Sequence, residues 1–152
     1  MPAADLPIAA LIELCASVRD LFDAKACVCA VVDDQADRLE FVAGDGAGVD
    51  LLIGQRLRVG EGIAGYVAQA GVPVEVACVR EDDRWAAGLP VHAEYVPHSL
   101  LGVPLTDDRG RVVGILNVLD PSPDVAAEAR LAVGGALPAL AVVAAEVAAL
   151  LG

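Results

Sequence analysis

The sequence predicts an α+β domain: an antiparallel sheet with N- and C-terminal helices on one face and a short helix with loops on the other. Three observations carry this reading. Apolar or alternating runs of strand length are joined by short polar turns, and so short a link suits antiparallel strands only. Both ends of the chain carry apolar residues at helical spacing, whereas the helical signals between them are short. The resulting order is helix, two strands, strand-helix-strand, an irregular segment, two strands, helix. Such an order segregates the terminal helices to one side of a sheet. The other side is left to the short helix and loops, where a pocket would form.

In chain order, Asp5-Leu6-Pro7 opens the first helix, with Asp5 as its cap and Pro7 in the first turn. Ile8, Leu11, Cys15, Val18 and Phe22 recur at steps of three and four, which makes one apolar face. Residues 26–32 form an apolar strand, 33–37 a polar turn and 38–43 a returning strand. Residues 44–48, Gly-Asp-Gly-Ala-Gly, read as a flexible loop, and Leu51-Leu52-Ile53 as a short buried turn. Gln55-Arg56-Leu57-Arg58-Val59 alternates polar and apolar, as a half-exposed strand does.

A glycine-punctuated turn follows, then a helix of about two to three turns that Gly71 and Pro73 end. Residues 74–79 read as a strand, 80–85 as a charged loop ending in the single tryptophan, and 86–96 as a loop with a short helix. The hairpin 100–105 and 112–119 turns through Thr106-Asp107-Asp108-Arg109-Gly110. Ser122 caps the last helix, with Pro123 at its first position. There Val133, Leu137, Leu140, Ala144, Val147 and Leu151 alternate spacings of four and three, the seam of a paired helix, and Pro138 with Gly134 marks a bend.

Gly60, Gly62 and Gly65 spell G-x-G-x-x-G between a strand and a helix, with Asp82 and Asp83 downstream. That is the outline of a dinucleotide site. Its context is wrong, because such sites need buried parallel strands in βα units, and here an antiparallel hairpin comes next. The glycines instead allow a short helix to pack closely on a sheet.

The bulk numbers narrow the function further. At 152 residues the chain is expected to be one domain, residues 1–152, with a core of its own. It is 57% hydrophobic but only 3% aromatic, so that core is aliphatic. A formal net charge of −12 repels phosphate backbones and argues against nucleic acid as a partner. The start lacks the basic region of a secretory signal. The apolar stretch 131–151 is alanine-rich and contains Gly134-Gly135 and Pro138, so it reads as a packed helix, not a membrane span. Cys15, Cys27, Cys29 and Cys78 have no metal-type spacing and read as reduced thiols in a cytoplasmic protein.

Several successive pieces of the chain resemble a GAF domain, in that family's order and spacing. They are 59–68 (Val-Gly-Glu-Gly-Ile-Ala-Gly-Tyr-Val-Ala), 71–74 (Gly-Val-Pro-Val), Asp83-Arg84, 99–105 (Ser-Leu-Leu-Gly-Val-Pro-Leu) and 114–118 (Gly-Ile-Leu-Asn-Val). The resemblance implies a six-stranded antiparallel sheet, a small-molecule pocket and dimerisation through the terminal helices. It further implies a sensor that passes a signal to an effector, here a separate protein or a part from which this chain was excised. Cyclic-nucleotide-binding members carry an Asn-Lys…Phe…Asp-Glu pattern, but here Asn117 precedes Val118. Bilin-binding members need a cysteine between Trp85 and Ser99, and the sulfoxide-reducing members need one where Ala64 stands; neither is present.

The leading expectation is therefore a non-enzymatic binding module with an unknown ligand, bound by Tyr66, Trp85, His92, Tyr95 and His98 with Asp83 and Arg84 at the rim. These polar and aromatic residues cluster in an otherwise aliphatic chain. One alternative is a haem or redox sensor that uses His92, His98 or Cys78. Another is a degenerate module retained for dimerisation, its pocket filled by its own side chains.

Overall fold

The computed structural model describes residues 6–85, 96–124, 145, 147–149 and 151 of the chain. Along them run α1 (Ile8–Leu21), β1 (Ala26–Asp33), β2 (Arg38–Gly46), α2 (Val49–Leu52), β3 (Arg56–Arg58) and α3 (Gly62–Ala70). Then come β4 (Val74–Val76), a single 3-10 turn (Val79–Glu81), β5 (Leu100–Thr106) and β6 (Val112–Leu119). The strands form one six-stranded sheet in the order β3-β2-β1-β6-β5-β4, and every pairing is antiparallel. The α+β class and the antiparallel sheet expected from the sequence are both present.

Alternation along the central strands sends side chains to two separate cores. From β1, Cys27 and Cys29 point to one face, where they meet Leu11, Cys15, Val18 and Phe22 of the α1 segment. Leu101, Val103, Leu105, Leu116 and Val118 join them from β5 and β6. Val147, Ala148 and Leu151, all helical, complete this core. Ala26, Val28 and Ala30 point the other way, toward Ile63, Ala64, Val67 and Ala68 of α3. Burying one leucine or phenylalanine in such a core contributes about 1.5–3 kcal/mol.

Close approaches hold the layers in register. A β-carbon at Gly114 would lie 2.5 Å from the Ala30 carbonyl oxygen and 3.3 Å from Leu151 Cδ1, so glycine on β6 lets Leu151 settle onto the sheet. Arg19 Nη1 donates to Asp45 Oδ2 at 3.0 Å and ties the end of α1 to β2. The Ser122 N–H donates to the Phe22 carbonyl at 2.9 Å, which brings the chain leaving β6 back beside the end of α1.

Several sequence expectations are corrected. The supposed loop at 44–48 is largely strand: Gly44 and Gly46 pair with Val28 and Ala26. Glycine is needed there because β1 and α2 press on it; a β-carbon on Gly44 would sit 2.7 Å from Val49 Cγ1. At 49–53 Val49 is buried and Leu52 is half-buried against the same core, while Leu51 and Ile53 are exposed, because α2 turns only one side inward. The strand expected over 74–79 stops at Val76, and Val79 opens the 3-10 turn instead. Val147 and Leu151, read as part of a seam between paired helices, are buried in the chain's own core. α1 begins at Ile8 with Pro7 at its N-cap position, so the cap does not fall at Asp5 and Pro7 precedes the first turn. The loop and helix at 86–95, the seam positions 133–144 and the Pro138 bend lie outside the described residues.

Candidate functional site

The stretch from β3 into α3 sets up the site. The Gly60 N–H donates to the Gly65 carbonyl at 2.8 Å, the Glu61 N–H to Arg58 at 3.0 Å, and the Gly65 N–H to Glu61 at 3.0 Å. The loop thus closes on itself, with the Gly60, Glu61 and Gly65 amides taken by the chain's own carbonyls. A β-carbon at Gly65 would lie 2.7 Å from the Arg58 carbonyl oxygen, so glycine there lets the helix start sit against the end of β3. Gly71, with φ +67°, ends the helix in the left-handed conformation.

This seating presents Tyr66, half-buried, on the side of α3 that the segment 79–85 approaches. The Arg84 guanidinium lies 4.6 Å from the centre of the Tyr66 ring, within cation–π range. A two-pronged contact holds it there: Arg84 Nε donates to Asp82 Oδ1 at 2.9 Å and Nη2 to Oδ2 at 2.6 Å. The Arg84 backbone N–H also donates to Asp82 Oδ1, at 2.8 Å, which closes the turn. The Asp82 carboxyl is held below its usual range, chiefly by the side-chain hydrogen bonds from Arg84. The Arg84 guanidinium is held above its usual range, chiefly by those same bonds to Asp82. Charge is balanced within the pair.

The other expected site residues are dispersed around this group. Trp85 is half-buried against the same apolar cluster as Tyr66. Asp83 is exposed, and its neighbour Asp82 is the partner of Arg84. His98 turns its ring to solvent, although its backbone is tied down: its N–H donates to Asp120 Oδ1 at 2.7 Å and its carbonyl accepts from Val79 at 2.8 Å. Cys78 is half-buried just before the 3-10 turn. His92 and Tyr95 lie outside the described residues. The structure therefore brings Tyr66, Arg84 and Trp85 together on one face and leaves Asp83 and His98 at the solvent edge.

The sequence reading missed two members of this face. Asp82 was signalled only as a neighbour of Asp83. Asn117 is the only buried polar residue among those described, with 4% of its surface exposed. It lies on β6 opposite Val28 of β1 and Gly102 of β5, in the middle of the sheet. Its parity with Ile115 and Leu119 turns it to the α3 side. An asparagine inside the apolar run Ile115-Leu116-Asn117-Val118-Leu119 was the signal that could have marked it.

Set beside known proteins, the chain matches the family model described as GAF domain over residues 7–151. The chain belongs to the GAF domain family. GAF domains are generally small-molecule-binding domains of signalling proteins. The GAF domain of an Acinetobacter phosphoenolpyruvate-protein phosphotransferase superposes with a TM-score of 0.74 at 21% identity, covering 98% of this chain and 85% of that one. A free methionine-R-sulfoxide reductase from Neisseria meningitidis, in complex with its substrate, gives 0.65 at 22% identity, covering 98% and 78%. At those identities the likeness is one of fold, and it takes in both a GAF domain of a phosphotransferase and a methionine-R-sulfoxide reductase. In sequence, 65 residues are 34% identical to a dual 3′,5′-cyclic-AMP and -GMP phosphodiesterase 11 of Drosophila melanogaster. That stretch is 43% of this GAF chain and only 4% of the phosphodiesterase. Among the described residues, no helix is long and apolar enough to cross a membrane.

Proposed function

We propose that this GAF domain is a non-enzymatic sensory module that binds a small molecule on the α3 side of the sheet. The observation that carries the reading is the Asp82–Arg84 fork laid over Tyr66. It fixes a charge-balanced aromatic wall beside an aliphatic core, which is the mixture a ligand pocket uses. Tyr66, Trp85 and Arg84 make that wall. His92 and Tyr95, expected from the sequence to bind the ligand, are part of the same proposal, with Asp83 and His98 at the rim. The module works in the cytoplasm as one domain, signals to a separate effector and dimerises through its terminal helices. Ile12, 41% exposed on α1, supplies apolar surface for the dimer.

Native mass spectrometry of the protein as purified, set against its denatured mass, tests this directly. A dimer carrying excess mass is expected, with Trp85→Ala lowering the bound fraction. A dimer without excess mass, in extracts and after incubation with cell metabolites, would favour a module kept for dimerisation alone. A monomer would remove the terminal-helix contact.

A further inference from the structure

We propose that Asn117 is the hydrogen-bonding floor of the ligand site, and that the site takes an uncharged, largely apolar molecule whose N–H or O–H donates to Asn117 Oδ1. This rests on the sensory reading above and names the chemistry of the ligand. Asn117 Oδ1 is buried and has no hydrogen-bond partner among the described residues. Buried polar atoms are nearly always paired, so an orphan needs a cause. A polar side chain left unpaired in an apolar layer weakens the empty protein, and an aliphatic residue of similar shape would not.

The surroundings show that this side chain has been given room. A β-carbon at residue 102 would lie 2.7 Å from Asn117 Oδ1 and 3.2 Å from Val67 Cγ2. Glycine on β5 therefore leaves open the space into which the amide leans, under α3 and at the centre of the sheet. Ile115, Leu119, Val28 and Val67 supply apolar walls around it.

The same surroundings select the ligand. Asn117 offers a neutral acceptor, which calls for a donor and not for an anion. Arg84 is already neutralised by Asp82 and offers no unbalanced charge to a phosphate or carboxylate. A charged group brought to this aliphatic layer would lose its hydration without a counter-ion. An apolar ring or chain carrying one well-placed donor fits both constraints.

Matched pairs of small probes test this on the full chain by calorimetry and ligand-observed NMR. The pairs are indole with 1-methylindole and 2-pyridone with N-methyl-2-pyridone; the second member of each keeps the ring and carries a methyl group in place of the donor hydrogen. The N–H member is expected to bind the unaltered protein about tenfold more tightly, since a lost donor leaves the acceptor buried and unpaired. Asn117→Leu is expected to shrink that ratio to about twofold or less, with Asn117→Ala as a second variant. Equal affinities within each pair on the unaltered protein would overturn the proposal, and a trapped water would then serve Asn117. A preference that survives both substitutions would overturn it as well. Failure of every probe to bind, beside a co-purified mass in the native spectrum, would overturn the donor chemistry but leave the sensory reading standing. Failure of every probe with no such mass would sink both.

Discussion

The two faces of the sheet are built to different standards. On the α1 face, Leu11, Cys15, Val18 and Phe22 interlock with Cys27, Cys29, Leu116 and Val118, and all are nearly inaccessible. Every buried side chain described there is apolar or a thiol. The α3 face uses the same aliphatic residues but admits a buried asparagine whose oxygen has no partner among the described residues. It also holds a half-buried tyrosine and tryptophan and an arginine latched to an aspartate. Stability and recognition ask for opposite things of a core: one wants every polar group excluded, the other wants a few held ready. Here the central strands β1 and β6 serve both, one face each.

The sharpest way to break that contrast is to damage the α1 face alone. Phe22→Ala should lose about 3–5 kcal/mol of stability in urea unfolding, as large-to-small changes in a tight core do. Probe binding on the α3 face should persist in whatever fraction remains folded. A smaller loss is expected at the edge of the α3 face. Gly65→Ala places a methyl group 2.7 Å from the Arg58 carbonyl oxygen, and the helix must shift to relieve it. The cost should be about 1–3 kcal/mol, the range for overpacking, and Tyr66 should move with the helix, which its fluorescence would show.

The latch gives a subtler effect with a pH signature. Because Asp82 has a folded-state pKa below its unfolded value of about 3.9, its contribution to stability is complete above that value. It is lost as the pH falls through the folded-state pKa. Asp82→Asn should therefore lower the melting temperature at neutral pH and flatten its decline below about pH 4. Asp107 is shifted in the same direction by the hydrogen bonds of the hairpin turn, so the flattening should be partial.

The smallest change is chemical. Burial pushes the Cys29 thiol up, and a hydrogen bond with Cys15 pushes up Cys27, so little reactive thiolate forms at Cys27 or Cys29. A thiol reagent should label Cys78 in the native protein well before Cys15, Cys27 and Cys29. Rapid labelling of the buried thiols without denaturant would mean that the α1 face opens more readily than its packing implies.

Most of the scaffold was legible in the chain. Spacings of three and four marked α1, alternation marked β3, and aspartate with glycine marked the turn between β5 and β6. All three are local signals with a local cause. The glycine turn before α3 was also read for what it is, since the neighbouring strand pattern ruled out a parallel sheet. Where the reading slipped, the cause was distant. Gly44 and Gly46 look like a loop until β1 lies beside them, and Val49 is buried only because the sheet is there to receive it.

The candidate site was legible in part, for the same reason. Tyr66, Arg84 and Trp85 could be grouped because polar and aromatic residues stand out in an aliphatic chain. That Asp82, and not Asp83, grips Arg84 depends on a turn whose dihedral angles no spacing reveals. The role of Asn117 depends on Gly102, 15 positions earlier in the chain and opposite it in the sheet. The sequence by itself determined the α+β class, the positions of most elements and the aliphatic character of both cores, because periodicity and turn chemistry are local. Only the tertiary structure decided which face each polar group joined and what it met there. Partnership across strands is set by register and close packing, which no single segment contains.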